Sequence, residues 1–174
     1  MGIALGDADN DGDEDLFVTN VAGESHVLYI NDGRGNFEDA RIRTGVAAPT
    51  AAMTGFGTGW LDYDHDGRLD LFVADGAVSI IESERGDPVP YRQRKQLLHN
   101  EGGAHFREVT DAGPEFERLD VARAAVFGDI DNDGDVDVLV TNNNAPVRLL
   151  LNQTISSASR NSESDGSAAA GSPA

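Results

Sequence analysis

A nine-residue pattern, Asp-x-Asp-x-Asp-Gly-x-x-Asp, occurs three times in this chain: at residues 7–15, 62–70 and 129–137. Five fixed positions met three times are not an accident of composition. The flanks repeat as well. Each pattern is followed at once by a β-rich apolar run: Leu16-Phe17-Val18, Leu71-Phe72-Val73 and Val138-Leu139-Val140. Each is preceded by small and apolar residues, at 2–6, 57–61 and 124–128. A further apolar run ends each time in Asn, at Asn31, Asn100 and Asn152. In the first two units a Gly turn and a Phe follow, leading to Phe37 and Phe106. Asn and Gly tolerate the positive φ that tight hairpins need.

A unit therefore reads as strand, acidic loop, strand, longer link, strand, Gly turn, strand. Four short strands, repeated, are the signature of a β-propeller blade. No stretch sustains a 3.6-residue apolar period, so the expected fold class is all-β. Residues 1–48 and 51–116 make two complete units, and residues 121–152 make a third that stops after its third strand. The pattern starts lie 55 and 67 residues apart, and the longer spacing comes from a connection over residues 77–95 that carries Pro88 and Pro90. Residues 153–174 read as a disordered Ser/Gly/Ala tail. About three blades do not close a ring, so the expected architecture is an incomplete propeller.

Fifteen of the 31 acidic residues lie in the three patterns. Carboxylates at positions 1, 3, 5 and 9 of a tight loop converge. Like charges about 4 Å apart repel by roughly 1 kcal/mol per pair in water and about 4 at an effective dielectric of 20. A divalent cation turns that repulsion into coordination. All the donors are hard oxygens on a flexible backbone, which suits Ca²⁺ with its 6–8 ligands better than Mg²⁺, which keeps its waters. The glycine at position 6 permits the sharp turn. Position 7 varies freely, as Asp13, Arg68 and Asp135, as expected where only the backbone carbonyl is used. A helical EF-hand loop shares the start of the pattern but needs a Glu at position 12. Here position 12 is Val18, Val73 or Val140, inside strand-like runs. The plainer reading, that acidic turns only solubilise the surface, does not account for three matching loops in matching contexts.

These residues resemble the FG-GAP repeat of integrin α-subunit propellers and bacterial VCBS-type proteins. The acidic loop between strands, and Phe127-Gly128 before the third loop, carry the likeness. The strings Asp70-Leu71-Phe72-Val73 and Leu98-His99-Asn100-Glu101-Gly102-Gly103-Ala104-His105-Phe106-Arg107-Glu108-Val109-Thr110 resemble the cartilage acidic protein family, whose bacterial members carry an ASPIC/UnbV-type module after the propeller. The resemblance covers residues 1–152. It implies about three Ca²⁺, one per loop: on Asp7, Asp9, Asp11 and Asp15; on Asp62, Asp64, Asp66 and Asp70; and on Asp129, Asp131, Asp133 and Asp137. Carbonyls of Asp13, Arg68 and Asp135 would complete the shells. Seven blades are usual in the family, so the sequence reads as a fragment of a propeller.

The formal charge is −18 and the pI about 4.3. That excludes a nucleic-acid binder that works by neutralising phosphates and disfavours an anionic membrane surface. No apolar run reaches the ~18 residues of a membrane span, and no signal peptide is visible. With no cysteine, thiolate chemistry and disulfides are excluded. His26, His65, His99 and His105 share no partner in the sequence, and His65, at loop position 4, is expected to point outward. Trp60 reads as a core residue. The one basic stretch holds Arg85, Arg92, Arg94 and Lys95 with Tyr91, either a solvated loop or a partner-binding one. The Asn152-Gln153-Thr154 sequon matters only in a eukaryotic secretory setting.

The functional expectation is a calcium-binding repeat module, not an enzyme, for binding or adhesion in an extracellular or periplasmic space. Its partner would be a protein or a carbohydrate, with neither nucleic acid nor membrane insertion involved. Exposed strand edges also allow edge-to-edge self-association. The alternatives are a fragment of a propeller-type hydrolase or lyase, or a purely structural segment of a larger secreted protein.

Overall fold

The structure, a computed structural model, describes residues 1–80, 82 and 85–153. Apart from Gln153, the expected Ser/Gly/Ala tail lies outside the described residues. Eleven strands among the described residues form three antiparallel sheets. The first sheet runs β1 (Ile3–Gly6), β2 (Asp15–Val18), β3 (Val27–Asn31) and β4 (Phe37–Asp39) in that order. The second runs β5 (Gly55–Leu61), β6 (Asp70–Asp75), β7 (Gln96–Asn100) and β8 (Phe106–Glu108). The third has three strands, β9 (Ala122–Gly128), β10 (Asp137–Asn142) and β11 (Ala145–Leu150). The chain is all-β, and the three sheets are successive propeller blades in an open arc. Its only described helices are single turns in the links between blades, α1 (Ala47–Thr50) and α2 (Pro114–Glu117). Pro114 presets φ for the first turn of α2.

Period-2 alternation sorts each blade into two faces. Trp60, Leu71 and Leu98 stand side by side across three strands of blade 2, as do Phe127 with Val138 and Leu150 in blade 3. Ala4, Phe17 and Leu28 form the matching row on the other face of blade 1. One apolar core joins Ala4, Phe17 and Leu28 to Leu71, Leu98, Phe106 and Trp60, gluing blade 1 to blade 2. A second joins Phe72 and Leu97 to Val138, Phe127 and Leu150, gluing blade 2 to blade 3. Trp60 is a core residue, with ring centroids 6.3 Å from Phe17 and 6.1 Å from Phe106.

The inner strands β1, β5 and β9 lie side by side in chain order. Gly57 makes this possible, because a Cβ there would run into the backbone of Ala124 and Ala125. At the two ends of the arc the sheet faces are open. Leu5 of blade 1 is 64% exposed and Val126 of blade 3 is 58% exposed.

The basic stretch is not an open patch. Arg85 pairs with Glu82, Arg92 with Asp87, Arg94 with Glu108 and Lys95 with Asp120. Lys95 is fully buried. The insertion thus uses its cations to tie itself down.

Candidate metal centre

Each acidic loop joins the first and second strands of its blade, and the three loops share one hydrogen-bond scheme. The position 1 carboxylate caps the turn. Asp7 accepts from the backbone N–H of Asp11 and Gly12 at 3.0 and 2.9 Å. Asp62 does the same with Asp66 and Gly67, and Asp129 with Asp133 and Gly134. The position 5 carboxylates, Asp11, Asp66 and Asp133, each accept the N–H of position 7, from Asp13, Arg68 and Asp135. Position 9 is buried in every loop, as Asp15, Asp70 and Asp137. One of its oxygens accepts the N–H of position 2, from Ala8, Tyr63 or Ile130. The other accepts the N–H of the strand-end Asn: Asn31, Asn100 or Asn152.

The backbone is shaped to match. Position 6 takes positive φ at Gly12, Gly67 and Gly134, with values of 96°, 83° and 98°. Position 4 does so too, at Asn10, His65 and Asn132, with 62°, 60° and 65°. Asn is among the few L-residues that enter this region at low cost.

Positions 1, 3 and 9 come together. Carboxylate oxygens of Asp7, Asp9 and Asp15 lie within 4.8 Å of one another, as do those of Asp62, Asp64 and Asp70 and those of Asp129, Asp131 and Asp137. Asp11 and Asp133 stand outside these triads. Asp66 stands instead with Asp64 and His99 in an overlapping group. Among the position 7 side chains, Arg68 turns onto Asp66 and donates to the Asn100 carbonyl at 2.8 Å. Asp135 Oδ1 lies 2.8 Å from His65 Nε2. His65 therefore bridges the second and third loops rather than pointing outward, and only the stacking of blades reveals it. His99 was also silent in the sequence, yet its Nδ1 lies 3.1 Å from Asp70 and 3.7 Å from Asp64.

The electrostatics of the loops are unfavourable as they stand. Burial, then the neighbouring Asp11 charge, pushes the Asp9 carboxyl above its ordinary range. Burial likewise raises Asp15 and Asp131, and lifts Asp70 to about 6. Backbone N–H groups satisfy the oxygens of positions 1 and 9, but Asp9 Oδ1 and Asp64 Oδ1 are buried without any hydrogen-bond partner. Such an atom costs roughly 1–3 kcal/mol, more when charged. Three converging carboxylates, one of them with a buried and unbonded oxygen, fit a hard divalent cation.

The loops are also tied to one another. Asn100 Nδ2 donates to the Ala8 carbonyl of the first loop at 2.8 Å. Asn152 Nδ2 repeats the contact with the Tyr63 carbonyl of the second loop at 3.0 Å. Asn100 and Asn152 thus each grip their own loop through the backbone and the preceding loop through the side chain, whereas Asn31 Nδ2 donates to the Glu14 carbonyl of its own loop.

Residues 3–73, which span the first two loops, match the FG-GAP-like repeat family. Over 141 residues, 81% of its length, the chain is similar to cartilage acidic protein 1, with 27% identity to the Mus musculus and Homo sapiens proteins and 29% to that of Xenopus tropicalis. The match covers 19% of each relative, so the chain spans about a fifth of the length of the curated relatives it matches.

Proposed function

We propose that this chain is a calcium-stabilised segment of an extracellular repeat protein, built to present a rigid surface to a protein or carbohydrate partner. One observation carries the calcium part of the reading. In each of the first two loops, the backbone satisfies every carboxylate of the triad except position 3, whose Oδ1 is buried and unbonded. When bound, Ca²⁺ supplies the positive charge that this oxygen lacks. Asp7, Asp9 and Asp15 would hold it in the first loop, Asp62, Asp64 and Asp70 in the second, and Asp129, Asp131 and Asp137 in the third. The position 5 carboxylates, Asp11, Asp66 and Asp133, complete the set of candidate donors. Three ions add +6 to a formal charge of −18, leaving −12.

Mass action favours an extracellular setting. With a Kd of order 10⁻⁴ M and about 1 mM Ca²⁺, each site adds roughly 1.4 kcal/mol. At submicromolar calcium the gain is negligible. The similarity to cartilage acidic protein 1 and to FG-GAP-like repeats supports a binding module over a catalyst. Calorimetric melting in 1 mM CaCl₂ and in chelator tests the calcium reading. The expected loss in chelator is about 4 kcal/mol for three sites. An unchanged melting temperature refutes it.

A further inference from the structure

The acidic loops occupy one end of the strands. At the other end, the long connection of blade 2 and the tight turn of blade 3 face each other across a cavity of about 420 Å³. Val78, Val89 and Tyr91 line it from the connection, and Val121 and Arg123 from blade 3. Both walls are tied down. The Ala77 N–H donates to the Tyr91 carbonyl at 2.9 Å and closes the neck of the connection. The Asn143 N–H donates to the Val121 carbonyl at 2.8 Å. A largely apolar cavity with a few convergent polar groups is the usual form of a small-molecule site.

Arg123 is the one charged residue in the lining. Its Cζ lies 4.3 Å from the centre of the Phe56 ring. Its Nη1 donates to the carbonyls of Gly76 and Ala122 at 2.8 and 2.7 Å, and its Nη2 to that of Ala77 at 3.1 Å. All three acceptors are neutral. A guanidinium has five N–H groups, so the Nε–H and one Nη2 hydrogen are left to receive a carboxylate. In a chain with 31 acidic residues, Arg123 is the one half-buried arginine among the described residues without a carboxylate partner. Burial holds its guanidinium below its ordinary range, and no neighbouring charge opposes the effect. Packing does not call for a cation at this place either, because the same position of the repeat is Met1 in blade 1 and Phe56 in blade 2. Beside Arg123, the side-chain amides of Asn143 and Asn144 line the cavity and make no hydrogen bond among the described residues.

We propose that this cavity binds a small carboxylate with an aliphatic body. The carboxylate sits on the open N–H groups of Arg123, and the aliphatic part lies against Val78, Val89 and Val121. Asn143 and Asn144 take a further polar group. An N-acylated aliphatic amino acid carries all three features. The proposal does not depend on the calcium reading, since the acidic loops lie at the opposite end of the blades.

N-acetyl-L-leucine is the probe, titrated into the full ¹⁵N-labelled chain with calcium present and followed through the Arg123 Nε–H resonance. Salt at about 0.15 M screens the general repulsion of an acidic chain beyond about 8 Å. Saturable shifts are expected, with a Kd of order 10⁻³ M for a ligand of about a dozen non-hydrogen atoms. N-acetyl-L-leucinamide, which lacks the carboxylate, should bind at least tenfold more weakly. Arg123→Met should weaken binding of the acid at least tenfold, followed then through the Asn143 and Asn144 side-chain amides. Val78→Glu, at a wall residue 58% exposed, sets a negative charge in the cavity and should do the same should the first variant misfold. No saturation by about 20 mM acid, equal binding of acid and amide, or indifference to both variants overturns the proposal. So does an Arg123→Met chain that melts earlier at unchanged affinity, because Arg123 is then only a clamp between blades. A pentapeptide with a C-terminal Leu that binds at least tenfold more tightly than the probe overturns the small-molecule assignment in favour of a polypeptide terminus.

Discussion

Asp75 offers a test of the core that is separate from the loops. It ends β6 fully buried, and neither of its oxygens is hydrogen-bonded. The facing group is His26 Nε2 at 3.6 Å, too long for a hydrogen bond. His26 Nδ1 accepts the Asn20 N–H at 3.1 Å, which places the proton of the neutral ring on Nε2. Arg94 and Glu108 act on Asp75 from further off with opposite signs. Burial dominates and pushes the Asp75 carboxyl from an ordinary 3.8 up to about 6. Between those two values the folded chain holds a proton that the unfolded chain has released. Stability therefore falls as pH rises through this window, and above pH 6 the penalty is complete. A shift of about two units corresponds to ~3 kcal/mol. Asp75→Asn removes the titration, whatever fixed cost the amide brings. The stability of the variant minus that of the native chain should thus rise by roughly 2.4 kcal/mol between pH 4 and pH 7, which is about 5–10 °C in melting temperature for a domain of this size. Paired urea titrations across that range, in chelator, measure it, and contributions of the acidic loops cancel in the difference. A flat difference refutes the reasoning. So does a fall, which is the signature of an ionised Asp75 stabilised by a protonated His26.

Two further substitutions probe the packing. Phe106→Ala should cost about 3–5 kcal/mol by denaturant titration, whereas Phe37→Ala, at the matching place but 48% exposed, should cost under about 1; similar losses would contradict the assignment of Phe106 to the joint between blades. Lys95→Ala leaves the buried Asp120 with Arg148 as its remaining cation and should cost about 3–5 kcal/mol, against about 1 for the half-buried Arg148→Ala. Equal losses would show that burial of Lys95 does not set its contribution.

What the residues disclose in advance is what is local. Alternating apolar runs after each Asp-rich loop mark β2, β6 and β10, and the Gly-Phe turns mark β4 and β8. Gly12, Gly67 and Gly134 announce a left-handed turn. Asn10 and Asn132 announce a second one just as clearly, but His65, at the same position, hides it. The contacts between blades are a different matter. Asn100 and Ala8 are 92 residues apart, and nothing in either segment names the other. His65 meets Asp135, and His26 meets Asp75, only because neighbouring sheets stack at one particular spacing. Lys95 looks like a surface charge in sequence because its partner, Asp120, lies 25 residues on, in the link that leads into the next blade. Period-2 patterning fixes which face a side chain occupies, but not what the next sheet brings to it.

The inner strands give the arc a direction. Gly2, Gly57 and Ala124 occupy the same place in the repeat, five residues before the first Asp of each loop. A Cβ at Gly2 would meet the Phe56 carbonyl, and one at Gly57 the backbone of Ala125. Two residues on, the repeat reads Ala4, Gly59 and Val126. Blades 1 and 2 are thus trimmed to let the next inner strand come to backbone contact, and blade 3 is not. The free face of blade 1, with Leu5, Leu16 and Tyr29, matches the face that blade 2 turns to blade 1 through Trp60, Leu71 and Leu98. It asks for a neighbour carrying small residues on its inner strand. The free face available on this chain, blade 3 with Ala124 and Val126, is the wrong shape for that role. Forcing methyl groups into so close a contact costs roughly 1–3 kcal/mol, so face-to-face, head-to-tail stacking of two copies is disfavoured at the spacing used inside the arc. The exposed apolar residues Val126 and Leu149 therefore suit a partner that approaches at a wider spacing than another blade of this kind does.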